Sequence, residues 1–114
     1  EEERAEKLLK ECLENDSNET TSRLELGKLY AKQRKFDKAT FLFLECLRLN
    51  PTSIRPRLEL NKIYLEEKEY RKAEQLINEC LEILGNDKTA TDELARQIAI
   101  INQYKNDNAN LNFR

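Results

Sequence analysis

The residue type in this chain that is best suited to chemistry is cysteine, which stands at Cys12, Cys46 and Cys80. The three are 34 residues apart, so no two have the close spacing of a zinc-binding pair, and the chain contains no histidine. A nucleophilic cysteine would need an activating group beside it, and the sequence indicates none. We therefore predict three buried packing residues, with no metal, no cofactor and no enzymatic activity. An odd number of unpaired thiols also favours a reducing, cytoplasmic location.

The elements that carry these cysteines repeat along the chain. Each cysteine ends the same phrase of residues, an alanine, then a large apolar residue four positions later, then cysteine after three more. The three copies begin at Ala5, Ala39 and Ala73. A fixed period of about 34 residues is typical of helical repeats whose units stack side by side.

Apolar residues at helical spacing predict about six antiparallel helices in an all-α fold. Turn-forming residues, including Asn50-Pro51 and Gly85, separate them. Thr20, Thr21 or Ser22 is expected to cap the second helix, and Thr89 or Thr91 to open the last. The predicted helices cover about 1–14, 20–33, 36–49, 54–65, 70–84 and 89–104.

Composition excludes several classes of function. The 114 residues carry a formal net charge of −2, which gives no reason to expect a nucleic acid partner. No apolar run approaches the roughly 20 residues that cross a bilayer, so no membrane association is expected. With two glycines and two prolines, the chain lacks the many turns of an all-β fold.

At this point the sequence resembles the tetratricopeptide repeat family, whose pattern is W-x2-L-G-x2-Y, then A-x3-F, then P. One unit matches through Leu26, Gly27, Tyr30, Ala39, Phe43 and Pro51, and the next through Leu60, Tyr64, Ala73 and Ile77. The leading aromatic position is replaced by Arg23 and Arg57. The resemblance implies a right-handed α-solenoid of helix–turn–helix repeats with a concave inner face.

The resemblance also divides the chain. We expect a repeat domain over 1–106, made of a half repeat at 1–19, full repeats at 20–53 and 54–87, and a half repeat or capping helix at 88–106. Residues 107–114 are expected to form a flexible tail. Such a domain implies a scaffold or adaptor that binds a peptide or partner protein segment in its concave groove.

In this family the first helix of each unit lines the groove, which indicates candidate ligand contacts. Spacing by 34 aligns a basic column of Lys28, Lys62 and Arg96, and beside it an apolar column that begins with Leu24 and Leu58, to which Leu65 and Ile100 add. These residues predict an acidic protein or peptide partner with apolar anchors. The alternative is a solvated face, because each cation has a carboxylate three or four residues away.

Two further alternatives remain. The carboxylate clamp that some family members use for heat-shock chaperones is not reproduced, which disfavours a co-chaperone role. The chain can instead serve as a structural module of a larger protein that self-assembles through its open solenoid ends, for example as a homodimer through the terminal helices.

Overall fold

The computed structural model of this chain describes residues 1–16, 19–85, 87 and 92–112. Within them the protein is all helical, as the sequence predicts. The expected opening of the last helix at Thr89 or Thr91 lies outside the described residues. The helices are α1 (Glu2–Asn15), α2 (Thr20–Lys32), α3 (Phe36–Leu49), α4 (Ile54–Glu66), α5 (Tyr70–Leu84) and α6 (Asp92–Asn112).

Two helix ends differ from the sequence prediction. Helix α2 begins at Thr20 and is capped by the preceding Glu19, whose carboxylate accepts a hydrogen bond from the Thr21 amide at 2.8 Å. Helix α6 runs on to Asn112 instead of ending near Tyr104. Tyr104 stacks on Tyr70 of α5, with ring centroids 4.1 Å apart, and Lys105 pairs with Glu74 at 2.9 Å. These contacts hold α6 against α5 just before residues 107–114, where the sequence predicts a flexible tail.

Consecutive helices pack against each other along the whole chain, and the stack is elongated, measuring 56 × 31 × 21 Å. Among the described residues, α2 also approaches α4, and α4 approaches α6, whereas no backbone approach within 8 Å joins α1, α3 and α5 to one another. The even-numbered helices therefore lie on the inner side of the stack. The division into two full units and two half-units remains a prediction.

The α2–α3 and α4–α5 pairs both turn between their helices at a residue with left-handed backbone. Arg34 has φ 62° and Lys68 has φ 60°. The amide that follows each of them reaches back to close the helix: Lys35 donates to the Tyr30 carbonyl and Glu69 to the Tyr64 carbonyl, both at 2.8 Å. This is the Schellman ending, in which glycine usually occupies the left-handed position.

The repeated alanines and two of the cysteines form the core between the helices. Ala39 and Ala73 are fully buried, and so are Cys46 and Cys80. Burial raises the pKa of both buried thiols. Cys12 is exposed, which corrects the prediction that all three are packing residues. The reason is that α1 contacts only α2 among the described helices, so the side that carries Cys12 is uncovered.

Gly27 lies where α2 and α3 approach most closely. A Cβ atom added to it would meet Cε1 of Phe43 at 2.6 Å, and Phe43 has no exposed surface on which to move aside. The second unit solves the same contact differently, with Asn61 in place of glycine and the smaller Ile77 in place of phenylalanine. Both of these residues are buried.

Candidate interaction surface

Three acid–base pairs follow one another on the inner helices. The pairs are Glu25–Lys28 on α2, Glu59–Lys62 on α4 and Glu93–Arg96 on α6. Their N–O distances are 3.3, 3.2 and 2.7 Å in that order. The partners are three residues apart within each helix, and each pair recurs after 34 residues. The structure therefore aligns Lys28, Lys62 and Arg96, each with a carboxylate beside it.

The two pairs nearer the end of the chain are linked. Lys62 also approaches Glu93 of the next inner helix at 3.5 Å, so Glu59, Lys62, Glu93 and Arg96 form one continuous set of ion pairs across α4 and α6. Glu59 and Glu93 are recessed, with 9% and 18% of their side chains exposed, against 42% for Lys62 and 56% for Arg96. An approaching ligand therefore meets the cations before it meets these carboxylates.

The predicted apolar column is interrupted at Leu58, which is only 1% exposed. It packs into a cluster with Ala73, Ile77 and other side chains of α5 and α6. Leu24 and Leu65 are half-buried and pack against the core in the same way. Leu58 is thus removed from the candidate site, because side chains of α5 and α6 cover it. Ile100 is half-buried on α6.

A cleft of about 320 Å³ between α2 and α4 contains two of the predicted residues. Ala31, Phe36 and Ile63 give it apolar walls, and Lys28, Lys32, Arg34 and Lys62 surround it together with Glu59 and Glu66. The lining therefore has four cations and two carboxylates, and each cation is paired with a carboxylate in the lining or beside it. The predicted residues Lys28 and Lys62 are brought together here, whereas Arg96 and Ile100 lie further along the inner face on α6.

Sequence reasoning missed Lys32, Arg34 and Phe36 as parts of this cleft. Arg34 lies in the left-handed turn, where it pairs with Glu66 of the next unit at 3.0 Å and stacks over Phe36, its guanidinium carbon 5.0 Å from the ring centroid. Lys32 pairs with Glu2 of α1 at 3.2 Å. The signal that was available is that Lys32 follows Lys28 by one helical turn, on the same face.

A buried polar contact behind the inner face was also missed. The Asn61 amide donates to the Gln97 carbonyl oxygen at 2.8 Å, and the Gln97 amide donates to the backbone carbonyl of Leu58 at 3.1 Å. Asn61 and Gln97 are 1% and 0% exposed. The contact joins α4 to α6 and sets how the two inner helices are placed relative to each other.

The described residues contain no group of three or more potential metal-ligating side chains. None of the described helices is both long enough and apolar enough to span a membrane.

Paired antiparallel helices, a 34-residue period and an inner face of equivalent helices define this fold as a helical-repeat solenoid. A sequence model of the family "Tetratricopeptide repeat" matches residues 23–53. The resemblance to this family is confirmed over these residues, and the chain has the fold of tetratricopeptide repeat domains. A search of curated proteins found no match.

Several solved structures share the fold across most of the chain. The type III secretion translocator chaperone SycD of Yersinia enterocolitica superposes with a TM-score of 0.82 at 17% identity, over 95% of this chain and 74% of that one. The Sgt2 TPR domain from Aspergillus fumigatus gives 0.79 at 16% identity, over 96% and 70%. The TPR2B domain of yeast Sti1, in a complex with pHsp70, gives 0.77 at 15% identity, over 87% and 81%.

Proposed function

We propose that this chain is a protein-interaction module whose cleft between α2 and α4 binds an acidic segment of a partner protein. The observation that carries the proposal is the composition of the cleft, with apolar walls and four cations against two carboxylates. An apolar side chain of the ligand packs on Phe36 and Ala31, while its carboxylates contact Lys28 and Lys62.

The internal ion pairs are compatible with this role. Pairs between exposed side chains contribute only about 0–1 kcal/mol each, so a ligand carboxylate can replace Glu25 as the partner of Lys28 at small cost. Lys62 keeps Glu59 and Glu93 beside it and is the more strongly neutralised of the two. Lys28 is therefore the stronger contact for an anionic ligand. Arg96, with Ile100 beside it, extends the site to longer ligands on α6.

The neighbours support a protein partner as the class of ligand. SycD is a translocator chaperone, and the TPR2B domain of Sti1 was solved in a complex with pHsp70. The acidic chemistry of the ligand rests on the cleft of this chain alone.

The test is a titration followed by NMR of the isotopically labelled chain. The probe is a synthetic 12-residue peptide of aspartate and glutamate with one central leucine, beside a second peptide with lysine in place of every acid. We expect the acidic peptide to shift the amide signals of Lys28, Ala31, Lys62 and Ile63. The variant Lys28→Glu/Lys62→Glu should weaken its affinity at least tenfold.

The matched control is Arg71→Glu/Lys72→Glu, which makes the same change of charge on α5, where both residues are exposed. It should leave the affinity within about twofold, because screening limits the reach of surface charges. Equal loss in both variants, or equal binding of the basic peptide, would show that only net charge matters and would refute the cleft.

A second candidate function, self-assembly through the terminal helices, is favoured by the exposed side of α1. Leu8 is 55% exposed and Cys12 is exposed, whereas the equivalent Leu76 and Cys80 of α5 are buried. On α6, Ala95 is exposed at the repeat position where Gly27 faces α3. In this proposal α6 of one copy packs on α1 of another and reproduces the pair that α2 and α3 form.

Sedimentation velocity over a range of concentrations tests the assembly. The unmodified chain should show a concentration-dependent larger species, and Ala95→Arg should reduce it because the added side chain blocks the close approach of the helices. A chain that stays monomeric at the highest concentration would exclude assembly through these faces.

A further inference from the structure

The outer face of α3 has an apolar pair that the repeat does not require. Phe41 is 64% exposed and Leu44 is 49% exposed. They are three residues apart and therefore lie on the same side of the helix. The equivalent positions are Lys7 and Lys10 on α1, and Gln75 and Asn78 on α5. On α1 and α5 the helices pack with polar residues at both of these positions, so packing between helices does not explain the apolar pair on α3.

Phe41 borders a cleft that is separate from the one between α2 and α4. This outer cleft has a volume of about 370 Å³ and is lined by Leu26, Tyr30, Asp37, Lys38, Phe41 and Leu42. Single exposed apolar side chains are common on protein surfaces. An exposed phenylalanine beside an apolar cleft is a different feature, because it enlarges the apolar surface that a ligand can cover. The volume lies at the low end of the range of about 300–1,000 Å³ typical of ligand sites.

The charges around the outer cleft are unequal. The ammonium groups of Lys38 and Lys35 lie 5.4 and 5.8 Å from the centre of the Tyr30 ring. Among the described residues, no ion pair joins either lysine to a carboxylate, whereas Lys10 on the neighbouring α1 pairs with Glu6 at 3.6 Å. Asp37 is the acidic side chain in the lining. Glu6 and Lys10 of α1 also interact with the Tyr30 hydroxyl, and Glu6 attracts Lys35. Three cations around the aromatic ring thus face two carboxylates, Asp37 and Glu6.

We propose that this outer cleft is a second protein-binding site, which takes a partner segment with one large apolar side chain and an adjacent carboxylate. The apolar side chain packs on Leu42 and the exposed ring of Phe41. The carboxylate contacts Lys35 and Lys38, whose cation–π position over Tyr30 leaves hydrogen-bond donors directed to solvent. The site goes beyond the proposed inner site, since it involves other helices and the opposite layer of the stack.

A second copy of this chain is a poorer occupant. In a two-fold symmetric contact the same patch is present on both sides of the interface. Lys35 and Lys38 of the two copies would then approach each other, and like charges brought together at an interface oppose association. A partner with carboxylates satisfies the same surface without that cost.

The test uses the same labelled chain with three synthetic 12-residue peptides. The first has a central phenylalanine flanked by glutamates, the second has alanine in place of phenylalanine, and the third has lysine in place of every glutamate. We expect the first peptide to shift the signals of Tyr30, Lys38, Phe41 and Leu42, and to bind at least tenfold more tightly at this cleft than either of the others.

The decisive variant is Phe41→Gln/Leu44→Asn. It introduces the residues that α5 has at the equivalent positions, so the fold should tolerate both changes. It should weaken binding at the outer cleft at least tenfold. The control is Leu81→Gln on α5. Leu81 is 44% exposed, close to the 49% of Leu44, and its replacement should leave the affinity for the first peptide within about twofold.

The two proposed sites are distinguished by Lys28→Glu/Lys62→Glu, which should abolish shifts at the inner cleft and leave those at Phe41 and Leu42 unchanged. The outer site is refuted if Phe41→Gln/Leu44→Asn binds the first peptide as well as the unmodified chain does. It is also refuted if the alanine or lysine peptide binds there equally well. If sedimentation shows a dimer of the unmodified chain and Phe41→Gln/Leu44→Asn removes that dimer, the occupant of the outer cleft is a second copy and the proposed partner is overturned.

Discussion

The helix pairs α2–α3 and α4–α5, which are the two predicted full units, reach the same backbone arrangement with different side chains in a close helix contact. In residues 20–53 a glycine faces a phenylalanine, because a Cβ on Gly27 would lie 2.6 Å from the Phe43 ring. In residues 54–87 the same two positions hold Asn61 and Ile77. In the second pair the inner helix has the larger residue and the outer helix the smaller one, and Asn61 donates a hydrogen bond to Gln97 of α6. The comparison shows that the same helix contact can be filled by different combinations of residue types.

The strongest way to break this equivalence is to place the asparagine of the second unit into the first. Gly27→Asn should destabilise the fold by about 3 kcal/mol, because the buried Phe43 ring cannot give way. Urea unfolding measures the change as a shift of the midpoint at constant slope.

A double-mutant cycle sharpens the same comparison. Phe43→Ile alone should cost about 1–2 kcal/mol, and Gly27→Asn/Phe43→Ile should be at least about 2 kcal/mol more stable than the sum of the single changes predicts. If the changes in unfolding free energy simply add, positions 27 and 43 are not coupled, and the comparison with Asn61 and Ile77 does not hold.

The next largest effect is expected from the buried polar contact between Asn61 of α4 and Gln97 of α6. Asn61→Ala leaves the Gln97 carbonyl oxygen buried without its donor, which should destabilise the chain by about 2 kcal/mol. Thermal unfolding of Asn61→Ala, Gln97→Ala and the double variant measures it. The double variant should cost clearly less than the sum, since removing both partners leaves fewer unpaired groups. A neutral Asn61→Ala would contradict a stabilising role for the contact.

The turns provide the smallest effect. Lys68→Gly should stabilise the fold by up to about 1 kcal/mol, because glycine adopts the left-handed backbone at φ 60° without the strain of a side chain. Arg34→Gly should gain less, since it also removes the pair with Glu66 at 3.0 Å and the contact with Phe36. Chemical denaturation of both variants separates the relief of backbone strain from the loss of the Arg34 contacts. Lys68→Ala is the control, because it keeps a Cβ. An equal gain at both turns would show that the Arg34 contacts contribute nothing.

The difference between the units also explains where sequence reasoning succeeded. The helix order, the 34-residue period and the buried positions of Ala39, Ala73, Cys46 and Cys80 follow from local spacing, because every unit repeats the same contacts with its neighbours. Cys12 was assigned wrongly for the same reason. Its place in the repeat is a packing position, but α1 contacts only α2 among the described helices.

The candidate site was predictable only in part. Lys28, Lys62 and Arg96 align as their spacing indicates, and their pairing with carboxylates three residues earlier is also readable along one helix. Leu58 was misplaced, because spacing identifies equivalent positions without showing how deeply the neighbouring helices cover each one. The α2–α4 cleft depends on Arg34 and Phe36, which enter it through a turn whose backbone a sequence pattern does not show.

The stack of antiparallel helices and its period of 34 residues can be read from the sequence, because helical periodicity and small residues at fixed intervals act within each unit. Which side chains remain exposed cannot be read in this way, since exposure depends on the curvature of the stack and on which helices cover each face. For that reason the fold could be derived from the residues in order, whereas the cleft between α2 and α4 and the apolar outer face of α3 became visible only once the helices were placed together.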